Sequence, residues 1–281
     1  MSAMINEQQL QTMLNGVDIP PCPAVLLELD AELKKDDSDQ RELTRIITKD
    51  VALSGHVMQF ANSPAFSSGH KLVSVTQALN VLGTRQVFNL VVSQLLKVAM
   101  AGKQDIGMDR FWETSALTAR LSAEIARRLR CVRPDIAYTF GLFRDCGIPL
   151  LMRRFPNTKA VLAEANAAED VMFTEVEDRL LGTNHAVVGY FLARRWFLPS
   201  EVAEAIMHHH DYRWLHQADE STRMVRAQIA VSVLAEHVIR LHTQGDGEQE
   251  WIKAAPAACE FFGLSLGAVD DLIEDLRDWL G

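Results

Sequence analysis

The residues of this chain best equipped for chemistry are its histidines. His208, His209 and His210 stand in a row, followed by Asp211, where an apolar pattern of helical spacing ends, and His185 lies near the start of another. Neutral imidazole is the commonest metal-ligating side chain, so the cluster raises the prospect of a metal site. Successive residues of a helix point about 100° apart. A helix running on through the triplet could therefore aim one or two of these rings at a common ion, but not all three. The triplet equally suits a helix C-terminus, where a cationic ring meets the negative end of the macrodipole. His56, His70, His216, His237 and His242 are scattered, and read as surface or satisfied core residues.

Signatures of other chemistry are missing. There is no Gly-x-Gly-x-x-Gly after a strand, no Walker loop, no Gly-x-Ser-x-Gly elbow and no His-Glu-x-x-His pair. Gly245-Asp246-Gly247 resembles the start of a calcium loop, but the ligands that should follow are wrongly spaced, and the stretch reads as a surface loop. Cys22, Cys131, Cys146 and Cys259 form no Cys-x-x-Cys pair, and are expected to act as small apolar residues in a reducing compartment. The formal net charge of −9 opposes a phosphate backbone. The densest basic stretch, Arg120 to Arg133, falls late in a helical pattern where cations suit the dipole, so nucleic-acid binding is not expected. Arg144, Arg153 and Arg154 leave room for a small phosphate-bearing ligand, since arginine recognises phosphate bidentately. Apolar runs are far shorter than the roughly 20 residues needed to span a bilayer. The N-terminus lacks a basic segment followed by an apolar one, so a cytoplasmic protein without a membrane partner is expected.

The elements that must position these residues are helical nearly throughout. Leu43, Ile46 and Ile47 repeat at helical spacing, and Leu53, Val57 and Phe60 continue the habit. Ser74 to Gln77 has capping-box form before Ala78 to Leu82, Gly83 is placed to end that helix, and Thr84 to cap the next. Pro64 and Gly69 punctuate a loop. Further helical patterns cover Phe111 to Leu129, Ala137 to Phe143, Leu150 to Phe155, Val161 to Ala168, Val187 to Trp196, Val202 to His208 and Met224 to Leu241. Residues 245–250 read as a loop, and Ser265 can cap a last, acidic helix. No run alternates with period two for long enough to demand a strand, so the fold class is all-α. The composition shift at Gly102 to Asp109 suggests a boundary, giving an N-terminal helical subdomain over 1–106 and a second helical domain over 107–281.

Set in order, several stretches resemble the HDOD domain, the HD-related output domain of bacterial signalling proteins. Ile19-Pro20-Pro21-Cys22-Pro23 is similar to that family's "LPPLP", and Asp50-Val51-Ala52-Leu53 with Phe60-Ala61-Asn62-Ser63 to its "DPAL…LANS". "ALNVLG", ending at Gly83, resembles its helix and glycine. Phe111 to Ser115 resembles "LWxHS", and Tyr138 to Gly147 "AFLAGLLHDIG". Asn184-His185-Ala186, Gly189, Trp196, Leu198-Pro199 and the histidine triplet follow its tail. The resemblance covers roughly residues 18 to 242 and implies a multi-helix HD-like bundle.

It also implies a site. HD-superfamily hydrolases bind metal through an early His, an adjacent His-Asp pair and a late Asp, with extra histidines in some branches. Carried over by position, the early His becomes Thr114, the pair becomes Arg144 and Asp145, and the late Asp becomes Glu236. His185 and His208 or His209 fall where the extra histidines lie. Threonine is a weak neutral ligand. A guanidinium has no lone pair and stays charged at any working pH, so Arg144 would repel a divalent ion. Arg144 is expected instead to pair with Asp145 or Glu236 in the ion's place, and no cofactor is expected. If a metal binds, the set would be Asp145, His185, His208 and Glu236, with iron, manganese or zinc as the ion. The resemblance thus implies a non-enzymatic signal-transduction module that binds other signalling proteins or a small regulator. The alternative is a metal-dependent phosphohydrolase of nucleotides or cyclic dinucleotides with a reduced ligand set.

Overall fold

The computed structural model describes residues 12–62, 71–100, 108–243 and 248–280, and every regular element among them is helical. Pro64, Gly69, Gly102 and Gly245 to Gly247 lie outside the described residues. The chain divides into two compact units, one formed by residues 20–105 and the other by 1–19 together with 106–281.

The smaller unit holds α1 (Ala24–Leu33), α2 (Gln40–Thr48), α3 (Val51–Ala61), α4 (Val75–Leu82) and α5 (Thr84–Met100). Its two family-like stretches have plain physical jobs. Asp50 caps α3 by accepting from the backbone N–H groups of Ala52 and Leu53. Asn62 donates to the carbonyls of Met58 and Leu72 and accepts from the Leu72 N–H, fastening the end of α3 to the strand of chain that leads into α4. Ser74 accepts from the Gln77 N–H as a cap should. The Gln77 side chain reaches back to the N–H of Val73, one residue earlier than a capping box has it. Leu26, Ile47, Val57, Leu79 and Leu90 are buried in this unit.

The larger unit carries α6 (Met108–Leu129), α7 (Pro134–Phe143), α8 (Gly147–Arg154), α9 (Thr158–Ala167), α10 (Phe173–Leu181), α11 (His185–Arg195), α12 (Ser200–His208), α13 (Arg223–Thr243), α14 (Glu248–Phe262) and α15 (Leu266–Leu280). Two short 3₁₀ turns, Tyr212–His216 and Glu220–Thr222, lie between α12 and α13. Helix α13 is central: every residue from Val225 to Ala235 is buried, Arg226, Gln228 and Ser232 among them. It packs on α6, α12, α14 and α15, with Leu121, Val231, Leu234, Val238 and Leu276 in one buried cluster.

Three helices depart from the sequence reading. The apolar patterns cover neither α1 nor α10, and residues 248–250 open α14, a further helix, rather than ending a loop. Residues 12–19, expected with the N-terminal helices, belong to the larger unit. Asn15 Nδ2 donates to the Leu181 carbonyl at 2.7 Å, and Thr183 Oγ1 to that of Met13 at 2.6 Å.

One close approach fixes where the later site can form. A Cβ on Gly147 would stand 2.1 Å from the carbonyl oxygen of His185, so only glycine lets the start of α8 touch the start of α11. Gly147→Ala is expected to cost about 3 kcal/mol or more, because backbone rather than a flexible side chain must move. Gly55, inside α3 with nothing within 4 Å of its Cβ position, is the contrast. Gly55→Ala should stabilise by about 0.5–1 kcal/mol. Urea denaturation of both variants measures the two shifts, of opposite sign.

Candidate functional site

The ends of four helices of the larger unit bring the chemistry together. Arg144 follows the last residue of α7, and Asp145 lies in the turn before α8. His185 is the first residue of α11, whose N-cap Asn184 accepts from the Val187 N–H. Helix α12 stops at His208, and His209 follows as its C-cap (φ −66°, ψ −17°) in a turn closed by the Asp211 N–H on the His208 carbonyl at 2.8 Å. His209 and His210 both turn into the interior, 3% and 6% exposed. His208 points elsewhere, stacked on Trp214 at 4.0 Å, with burial lowering its pKa.

One donor atom each from Asp145, His185, His209 and His210 lies within 4.8 Å of the others. Asp145 Oδ1 is 3.6 Å from His185 Nε2 and 3.5 Å from His209 Nε2, and those two nitrogens are 3.1 Å apart. The other nitrogen of every ring is engaged. His185 Nδ1 meets Glu177 Oε2 at 2.6 Å, His209 Nδ1 meets the Ile206 carbonyl at 2.7 Å, and His210 Nδ1 meets Glu250 Oε2 at 2.9 Å. A carbonyl only accepts, so His209 Nδ1 carries the proton and a neutral His209 has its lone pair on Nε2. Burial, followed by the charge of His210, holds the His209 pKa well below its usual range. Burial also opposes protonation of His185, but the Glu177 carboxylate outweighs it and raises that pKa. His185 Nε2 and His209 Nε2 lie 3.1 Å apart, so the lone pair of a neutral His209 can accept from His185 Nε2. Phe173 stacks on His210 and meets the edge of His185, fixing both planes.

On the other side of Asp145 stands Arg144, 5% exposed. Its Nε and Nη2 donate to Asp145 Oδ2 at 3.2 and 2.6 Å, and Nη2 also lies 2.7 Å from Glu236 Oε1. Burial works against all three charges. For Asp145 the guanidinium, helped by His209, more than offsets burial and holds the carboxyl well below the usual range. For Glu236 burial outweighs Arg144 and the pKa is raised. Arg144 itself stays protonated, held by Asp145 and then Glu236 against desolvation. Glu250 on α14 is acted on first by burial, which raises its pKa. Hydrogen bonds from His210, Lys253 and Tyr212 more than reverse this, to about 2.

Beside this pair opens a cleft of about 410 Å³, lined among others by Arg110, Thr114, Arg144, Glu236, Arg240 and Trp251. Thr114 is thus near the site but exposed at its wall, while His208 is outside it. Sequence reasoning missed Glu177, Glu250 and the separate role of His210. The apolar spacing of Phe173, Val176 and Leu181 was a legible sign of the helix that carries Glu177. Nothing in the sequence pointed from Glu250 to a histidine forty positions away.

The fold has solved relatives. An HDOD domain protein of unknown function from Geobacter sulfurreducens matches with a TM-score of 0.72 at 24% identity, over 98% of this chain and 95% of that one. A protein provisionally named a phosphohydrolase, from Shewanella amazonensis SB2B, matches with a TM-score of 0.72 at 20% identity, over 95% and 94% of the two chains. These likenesses speak to the fold. An uncharacterized protein of Treponema pallidum (strain Nichols) is 24% identical over 249 residues, 88% of this chain and 46% of its own length. The chain thus spans about half the length of the curated relative it matches. The HDOD domain profile matches residues 19–212, well over half of the sequence, and the chain belongs to the HDOD domain family.

Proposed function

We propose that this chain is a non-enzymatic signal-transduction module that works by binding other signalling proteins or a small regulator. The observation that carries the reading is the Arg144 guanidinium, 2.6 Å from Asp145 and 2.7 Å from Glu236. It stands at the position that resembles the histidine of the metal-binding pair, and it pairs with both carboxylates at once. The four cysteines are free, which suits the cytosol as the place of action. No single helix among the described residues is long and apolar enough to cross a membrane.

The superfamily's metal meets two different receptions here. Where Thr114, Arg144 and Glu236 stand, the donors do not fit, since a fixed cation already occupies the carboxylates and a threonine replaces an imidazole. Around Asp145 Oδ1 they do fit. Each ring there has one nitrogen held by an acceptor, the arrangement that orients ligating histidines. Two nitrogens about 2.0–2.1 Å from a tetrahedral zinc stand about 3.3 Å apart, and the donor separations of 3.1, 3.5 and 3.6 Å bracket that value. Asp145, His185, His209 and His210 would hold a single zinc, iron or manganese ion, with His210 in the role expected of His208. Bound there, the ion would supply Lewis-acid polarisation of an oxygen ligand. This cluster is the specific observation that favours the second reading, an HD-type phosphohydrolase of nucleotides or cyclic dinucleotides with a reduced ligand set.

Two measurements separate the readings. With manganese, ferrous iron or zinc added, release of product from nucleoside phosphates and cyclic dinucleotides is expected to be the same for the wild type and Asp145→Ala. Turnover that vanishes in the variant overturns the non-enzymatic reading. Arg144→Gln is expected to cost about 1–3 kcal/mol in urea denaturation, because it leaves the half-buried carboxylates of Asp145 and Glu236 without their cation. Thr114→Ala, at an exposed position, should stay within about 0.5 kcal/mol of the wild type.

A further inference from the structure

The cleft beside Arg144 has a chemistry that the ion pair does not use up. Arg144 lines it, and its Nη1 is buried with no hydrogen-bond partner among the described residues, as is Nε of Arg240. A buried guanidinium N–H left without an acceptor is costly, so an acceptor brought to it is rewarded. Arg110 reaches the same cleft from α6 and Arg240 from α13. Glu236 and Glu250 are the carboxylates of the lining, and both are already engaged. Glu236 pairs with Arg144, and Glu250 is shared by His210, Tyr212 and Lys253. The net charge of −9 on the whole chain does not decide the matter. At physiological salt, charge is screened over about 8 Å, so the local guanidiniums set the potential inside the cleft.

We infer that this cleft binds a small phosphate-bearing ligand, its phosphoryl oxygens accepting from Arg144 Nη1, Arg240 and Arg110. Three guanidiniums on separate helices suit a tetrahedral group with several terminal oxygens better than a planar carboxylate, and arginine donors bind phosphate in charge-assisted pairs. The volume of about 410 Å³ is at the small-molecule end of ligand sites and too small for a folded partner. Trp251, stacked on His237 at 3.7 Å, gives one wall a flat apolar surface against which the rest of such a ligand would lie. Of the three arginines that the sequence suggested for this purpose, Arg144 lines the cleft, whereas Arg153 and Arg154 do not, and Arg154 packs over Phe155 at 5.0 Å. The inference rests on the binding reading above, and gives the small regulator a chemical class.

The test is a phosphorus NMR titration of the metal-free full chain, in the presence of a chelator, with inorganic pyrophosphate and separately with adenosine monophosphate. Saturable binding is expected, weakened by about tenfold, equivalent to about 1.4 kcal/mol, in Arg110→Gln or Arg240→Gln. It should be unchanged in Arg154→Gln. Tighter binding of the nucleotide than of pyrophosphate would add the Trp251 wall to the site, and equal binding would confine it to the phosphoryl group. No saturation at millimolar probe, affinity indifferent to both Arg110 and Arg240, or binding that appears only with added metal would overturn the inference. The same spectra show whether either probe is converted to inorganic phosphate. Conversion would sink the non-enzymatic reading while leaving the binding site standing.

Discussion

The larger unit is organised around one electrostatic necessity. Asp145 and Glu236 come from a turn and from the central helix α13, and each sits where desolvation disfavours its charge. Two such carboxylates facing each other need a cation. Arg144 is that cation, supplied by the same turn as Asp145 and itself 5% exposed. A buried pair of this kind is held together more by the cost of breaking it than by any gain in forming it. It therefore constrains its neighbours: α7 must end at Phe143, the turn must bring Asp145 back toward Arg144, and α13 must present Glu236 to both.

Around Asp145 a second constraint takes over. Each of the three imidazoles is held at Nδ1 by an acceptor with a different origin: Glu177 on α10, the Ile206 carbonyl on α12 and Glu250 on α14. Tyr212 and Lys253 hold Glu250 in turn, and Phe173 fixes the planes of two rings. The outcome is a site in two halves that share Asp145. In one half a side chain provides the positive charge, and in the other donor atoms of Asp145 and the three histidines lie within 4.8 Å of one another.

Much of this could be read from the sequence, for physical reasons that differ by residue. The helices with strong apolar periodicity were legible because burial of one face writes itself into spacing, as in α2, α4 and α6. Arg144 was legible because a guanidinium cannot ligate, whatever surrounds it, and the structure has it paired with Asp145 and Glu236 together. The choice among His208, His209 and His210 was not legible. It depends on the residue at which α12 stops, and helix ends are the least certain feature of a pattern. Glu177 and Glu250 were hidden because their roles come from tertiary approach. Helix α14 was further masked by Pro256 in its interior and by acidic residues in its first turn, which read as loop. No spacing in the sequence links Arg110 with Arg240, and tertiary structure brings both to the lining of one cleft.

The central claim is that Arg144 fills the place of a cation, leaving room for one metal ion at most. Anomalous diffraction from crystals soaked in manganese or zinc measures this directly. The account predicts no peak between Asp145 and Glu236, and allows a single peak among His185, His209, His210 and Asp145. A metal bridging Asp145 and Glu236, with the Arg144 side chain swung away, would contradict it.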